Sequence, residues 1–133
     1  MSKNLKLVRS ICAEWERADF SRADWADPEI EWEFVGGPEP SGGTGIVALA
    51  AAVRSWISAW DAWRIKVDEY RELDRERILV LSRVAGRGRT SGMELGRMFH
   101  QGAIFFEVTG GKVKRQVVYW ERDRALADLD LAE

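Results

Sequence analysis

From Gly43 to Trp63 the chain reads GTGIVALAAAVRSWISAWDAW. Its large apolar residues Ile46, Leu49, Val53, Trp56, Trp60 and Trp63 are spaced three, four, three, four and three apart, which places all six on one stripe of an α-helix. The helix is expected to run from Thr44 to Trp63. Thr44 follows a Gly-rich loop and would cap the first turn, while Ala48, Ala50, Ala51 and Ala52 bring high helix propensity behind it. Three indoles on one stripe are too much apolar surface to leave in water, and the natural concave partner for them is a sheet.

On the N-terminal side, Leu5, Val8, Ile11, Trp15 and Ala18 recur every three or four residues, with Glu14, Glu16 and Arg17 on the opposite side. This predicts a first helix from Asn4 to Ala18. The stretch from Phe20 to Ala26 is read as one or two turns that fold Phe20 and Trp25 under the sheet. Asp27-Pro28 ends them, because a residue before proline avoids the α region. Glu29 to Phe34 then alternates strictly between polar and apolar, which predicts a half-buried strand with Ile30, Trp32 and Phe34 on its drier face.

On the C-terminal side four extended stretches follow. They run from Arg64 to Leu73, Ile78 to Ala85, Met93 to Val108 and Val113 to Trp120. The second is apolar on both faces, as a central strand is. The third is long for a strand, so Gly96 or Gly102 is expected to mark a bulge or bend. Thr109-Gly110-Gly111 closes a hairpin into the fourth. Ala125, Leu126 and Leu129 predict a short helix between Arg122 and Leu131. Together these elements describe one α+β domain over residues 1–133: a curled antiparallel sheet wrapped around about three helices, forming a cone with an internal pocket.

Composition narrows the function classes. Lys and Arg total 20 against 22 Asp and Glu, a formal net charge of -2, so no positive excess favours nucleic acid. Cys12 is the single cysteine, which excludes an internal disulfide and fits a reducing compartment. The stretch MSKNLKLVRS is charged and amphipathic, neither a signal peptide nor a membrane span, and a cytoplasmic protein with no membrane partner is expected. With one histidine and scattered carboxylates, no usual zinc site can be assembled, and no phosphate-binding or nucleophile motif is present. Any chemistry would be cofactor-free acid/base work.

Several motifs, in order, carry a resemblance. They are Ala18-Asp19-Phe20, Asp27-Pro28-Glu29-Ile30-Glu31-Trp32, the Gly-rich loop 36–43, Gly88-Arg89-Thr90-Ser91-Gly92, Gly111-Lys112-Val113, and the ending from Tyr119-Trp120-Glu121-Arg122 to Leu126. The chain resembles the nuclear transport factor two-like superfamily, and within it the SnoaL-like polyketide cyclase branch. The resemblance implies a pocket without fixing an activity. It also implies a homodimer, an expectation strengthened by the apolar residues on both faces of the central strands. The ketosteroid isomerases of the superfamily use an aspartate base with a tyrosine and a protonated aspartate as oxyanion donors. Here the tyrosine position falls on Ile11 and the aspartate position on Ile104, which speaks against steroid-type isomerisation.

For the base position two registers compete. Counting from Asp27 selects Glu33, whereas the apolar alternation selects Trp32 and turns Glu33 outward. His100 is the side chain that titrates near neutrality. It shares a face with Ile104, and it serves either as a general acid/base or as a core histidine satisfied by a carbonyl. Tyr119 is an assisting hydrogen-bonder, and the candidate catalytic set is therefore His100, Glu33 and Tyr119. Trp15, Trp32, Trp56, Trp60, Met98, Phe106, Gln116 and Trp120 are expected to bound a pocket for a small hydrophobic or polyketide-like molecule. Two functions follow as expectations: ligand binding, or a cofactor-independent lyase or isomerase using His100. Arg83, facing Glu69 or Glu94, would make a pair resembling the charged triad of the epoxide hydrolases.

Overall fold

The computed structural model describes residues 1–37, 40–88 and 94–131, with the chain path alone for 94–99. The elements are α1 (Lys3–Glu16), β1 (Ala26–Val35), β2 (Ser41–Thr44), α2 (Ile46–Ser58), β3 (Trp60–Glu72), β4 (Arg77–Gly88), β5 (Glu94–Thr109), β6 (Lys112–Tyr119) and α3 (Arg122–Asp128). The expected α+β architecture is present. Six strands form one open sheet in the order β2-β1-β6-β5-β4-β3. The expectation of an all-antiparallel sheet is corrected at one seam, where β1 runs parallel to β6.

Alternation splits the apolar residues of the sheet into two cores. Ile78, Val80, Ile104, Phe106 and Val113 pack with Val8, Ile11 and Cys12 of α1 and Leu49 of α2. On the other face Leu79, Leu81, Ala103, Phe105 and Val117 pack with Ala125 and Leu126 of α3. α3 therefore covers the outward apolar patch that had suggested a dimer surface. Arg122, at the start of α3, fastens it by donating to the Ser82 and Gly102 carbonyls at 2.7 and 3.2 Å and to Asp68 at 2.9 Å. Asp68 also receives Arg83 at 2.8 Å. Arg83 thus takes part in a brace on the outer face; Glu69 pairs with Arg71, and the Glu94 side chain lies outside the described residues.

The local signals suffice for α1, whose N-cap Ser2 accepts from the Leu5 amide at 3.0 Å. The stretch that begins at Phe20 makes a turn at Asp24-Trp25 before β1, as expected, and carries Trp25 into the core with Phe20 packed against it. The Gly110-Gly111 loop has both residues at positive φ, 62° and 77°, as a two-residue hairpin with right-handed strand twist requires. Of the two candidate bend sites in β5, the register shift lies opposite Val84 and Gly86, between Leu95 and His100, the stretch that contains Gly96. Gly102 instead permits a close approach of backbone, since a Cβ there would come within 2.8 Å of the Tyr119 carbonyl oxygen.

The expected helix from Thr44 to Trp63 is shorter at both ends. Its N-cap is Gly45, at φ 102°, and Thr44 pairs in β2 with Glu31. The helix stops at Ser58, and Trp60 and Trp63 stand on β3. A bulge explains their shared side: Asp61 lies opposite Arg87 and Arg64 opposite Ala85, so β3 holds one extra residue there, with Ala62 at φ 53°. A Cβ on Gly86 would meet Trp63 at 3.0 Å and Trp60 at 3.3 Å, so both indoles lean on the same bare stretch of β4. Ladder pairing and indole burial outweigh the local helix propensity.

Two outcomes follow. Ala62→Gly relieves a left-handed residue that carries a Cβ and should raise stability by about 0.5–1 kcal/mol, read as a higher Tm. Burial pushes the Cys12 thiol from 9.0 up to about 12, outweighing its hydrogen bond with Tyr70. The unfolded thiol then ionises first, so this contribution is intact below about pH 9 and is lost as pH rises toward 12. Thermal melts between pH 8 and 10.5 should show falling stability, with a shallower fall in Cys12→Ala.

Candidate functional site

Between α1, the turn 20–25, α2 and the inner face of the sheet lies a cavity of about 380 Å³. Its walls are mostly aromatic and aliphatic: Trp15 of α1, Phe20 and Trp25 of the turn, Phe34 of β1, Val53, Trp56 and Ile57 of α2, Trp63 of β3, and Trp120 just after β6. α2 contributes a stripe because its residues 49, 53, 56 and 57 recur at helical spacing. Trp15 is held against Trp25, Phe20 and Phe106 at ring separations of 5.9, 6.4 and 6.0 Å.

One end of the cavity is closed by interlocked indoles. Trp56 contacts Trp60, Trp63 and Trp120 at 5.4, 5.3 and 5.8 Å, and Trp60 contacts Trp63 and Trp120 at 5.2 and 6.3 Å. Trp120 reaches this position because Gly37 lies under it: a Cβ there, at φ +78°, would sit 3.1 Å from the indole ring.

The polar groups on the wall are few. Arg22 and Arg54 are exposed, and Arg22 is engaged by Glu14 and Asp24, each at 2.8 Å. Ser82 and Gln116 are buried, at 2% and 3% exposure. Gln116 sits on the inner face of β6, in register with Phe106 of β5 and Trp32 of β1. Among the described residues no group hydrogen-bonds its amide. The amide is not sealed in the way the Trp32 Nε1 is, so it reaches the cavity.

Of the residues singled out from sequence, Trp15, Trp56, Gln116, Tyr119 and Trp120 border this cavity. Trp32 faces inward, 8% exposed, and so settles the register against Glu33, whose side chain is exposed. Trp32 stands behind the wall, however, packed on Phe34 at 5.5 Å and over Gly43. Its Nε1 is the one fully sealed side-chain nitrogen or oxygen without a hydrogen-bond partner among the described residues. Trp60 and Phe106 likewise lie in the second layer, 4% and 0% exposed. Met98 lies outside the described side chains. The Tyr119 ring belongs to the outer-face core, where burial and a hydrogen bond with Asp128 raise its hydroxyl pKa.

His100 is in register with Val84, which lines the cavity, but the imidazole itself stays off the wall. Its ring stacks on the Trp120 indole at 4.5 Å, and its Nε2 lies 2.7 Å from the Trp120 carbonyl oxygen and 3.5 Å from Glu121. His100, Glu33 and Tyr119 are therefore not brought together. Sequence reasoning missed Phe34, Trp25 and Trp63 as wall residues. For Phe34 and Trp25 the available signal is their place on the dry side of the sheet. Among the described residues no group of three or more His, Cys, Asp or Glu converges as a metal site, and no helix is long and apolar enough to cross a membrane.

No protein-family model matches the sequence, and neither does any curated protein. Solved structures do match. An NTF2-like protein of unknown function from Burkholderia pseudomallei is 18% identical, with 96% of this chain and 97% of that one covered and a TM-score of 0.75. The fold is that of the NTF2-like proteins. A candidate polyketide cyclase from Xanthomonas campestris pv. campestris is 17% identical over 94% of this chain and 95% of that one, at TM-score 0.68. A candidate SnoaL-like polyketide cyclase from Jannaschia sp. CCS1 is 15% identical over 87% and 83%, at 0.66. At these identities the likeness carries the NTF2-like cone and leaves its contents to this chain's own residues.

In this NTF2-like cone His100 acts as a clamp on Trp120. His100→Ala should cost about 1 kcal/mol through the lost hydrogen bond and stacking, visible in a urea melt as a lower midpoint with an unchanged m-value.

Proposed function

We propose that the protein binds a small hydrophobic, planar or polycyclic molecule, polyketide-like in character, in the cavity of its cone. The observation that carries this reading is the aromatic-walled cavity itself, about 380 Å³ and lined by Trp15, Trp25, Phe34, Trp56, Trp63 and Trp120. Indole faces with few polar groups suit a flat apolar ligand better than a sugar or a nucleotide. The similarity to candidate polyketide cyclases points the same way. The single cysteine and the absence of a basic excess favour a cytoplasmic protein that does not engage nucleic acid. For a homodimer the remaining ground is the resemblance, since the apolar patch under α3 is already covered.

A second reading, a cofactor-independent lyase or isomerase using His100 as general acid/base, draws on the pairing of His100 with Glu121 at 3.5 Å. General acid/base catalysis needs the titrating nitrogen within about 3 Å of the substrate proton, and a group to stabilise the resulting charge. Trp120 stacks on the imidazole beside the cavity, Glu33 is exposed, and Tyr119 borders the cavity with its ring packed in the outer-face core, which is why binding is preferred.

Tryptophan emission reads the cavity directly. Bicyclic and tricyclic aromatic compounds should quench it and, at a hundredfold excess over Kd, add about 2.7 kcal/mol to stability. Val53→Trp, which fills the cavity from α2, should abolish both effects. If quenching survives that substitution, the ligand sits elsewhere. His100→Ala should leave binding within about twofold. Turnover of any bound compound that disappears in His100→Ala would favour the catalytic reading.

A further inference from the structure

The cavity wall carries two buried polar side chains, Ser82 and Gln116, of which the Gln116 amide has the larger hydrogen-bonding capacity. Gln116 is 3% exposed, lines the cavity and meets no hydrogen-bonding partner among the described residues. Its neighbours on the inner face are apolar at their surfaces: Phe106 and Trp32 across the two ladders and Val118 two residues along. A trapped water is a poor match for such an amide, because a buried water is held by two to four polar groups. A ligand atom fixed to a ring held by indoles needs only the one hydrogen bond.

Building on the binding reading above, we infer that the ligand carries a neutral oxygen function, a ketone carbonyl or a phenolic hydroxyl, that docks on the Gln116 amide. The amide offers two N–H donors and a carbonyl acceptor, so it accepts either group. Neutrality follows from the surroundings. The charged side chains on the wall, Arg22 and Arg54, are exposed, and an ionised oxygen beside Phe106 and Val118 would be desolvated without a counter-charge. A site built to hydrogen-bond an oxygen also rejects the analogue that lacks it, since the amide is then left unpaired. The class is thus an oxygenated aromatic or alicyclic ring system, in preference to the parent hydrocarbon.

The test pairs 1-tetralone with tetralin, two bicyclic compounds of nearly equal size that differ in a carbonyl. Titrated against tryptophan emission, the wild-type protein should bind 1-tetralone at least about tenfold more tightly, a difference of about 1.4 kcal/mol. Gln116→Leu should erase that preference and raise the Tm of the ligand-free protein, because a buried amide without a protein partner has been replaced by an apolar side chain. The wild-type ratio needs no variant, so the test holds even if Gln116→Leu does not fold. Equal wild-type affinities would overturn this inference and leave the cavity reading standing. So would a lower ligand-free Tm in Gln116→Leu, which would mean that the amide serves the fold. If neither compound binds the wild-type protein, the cavity reading falls and takes this inference with it.

Discussion

The packing of Trp120 against Trp56 and Trp60 is the contact on which the rest of the arrangement depends. It joins the end of β6, an interior strand, to α2 and to β3, the strand at one edge of the sheet. A helix laid on a sheet can slide until its apolar stripe finds purchase, and here the purchase is a set of indoles too large to be exchanged for one another. Each is admitted by a backbone feature. Gly37 makes room for Trp120, Gly86 makes room for Trp60 and Trp63, and the bulge at Ala62 turns both of the latter to one side. Where α2 is pinned, the space between its middle turns and the sheet is fixed as well. That space is the cavity.

A cavity in a small domain forfeits contacts that a filled core would make. The chain tolerates it because the remaining surfaces are well consolidated. Val8, Ile11, Cys12, Ile30, Ile78, Val80 and Phe106 are sealed almost completely on the inner face. On the outer face α3 seals Leu79, Leu81 and Phe105 and is anchored by Arg122 on carbonyls of β4 and β5. The outer brace of Arg83, Asp68 and Arg122 ties three strands and a helix without entering the cavity.

Much of the fold was legible in the sequence, since periodicity reports which face of an element is buried and most elements obey one period. Between Trp32 and Glu33 the sequence left two registers open, and the structure turns Trp32 inward and Glu33 outward. The reading failed where two structures share a spacing. Positions 60 and 63 fall on one stripe of a helix, and they also fall on one face of a strand that carries a single bulge between them. Only the pairing with β4, whose register shift lies at that point, separates the two cases. β2, with the sequence Ser41-Gly42-Gly43-Thr44, carries no apolar pattern at all and pairs through its backbone. The parallel seam between β1 and β6 and the outward seat of α3 are properties of topology, and no local pattern encodes them.

Of the site, the aromatic character was legible and the layering was not. Trp32, Trp60 and Phe106 face inward as composition and period imply, yet each is one side chain away from the cavity surface. Facing inward and lining a void differ by the thickness of a single ring, which depends on how neighbours such as Phe34 and Trp56 are rotated. His100 illustrates the same limit. Its strand position gives the correct face, but its imidazole is turned onto the Trp120 carbonyl and stacked on that indole. A histidine so engaged offers the cavity little, and its strongest geometric link is to the tryptophan that closes it. Solved structures at 14–19% identity share the cone, and what distinguishes one cone from another is the handful of atoms left facing the void. Here those atoms are indole faces, aliphatic carbons and two buried polar groups, Ser82 and Gln116. Among apolar walls a polar group weighs heavily, because the low local dielectric strengthens its hydrogen bond when made and makes it costly when missing.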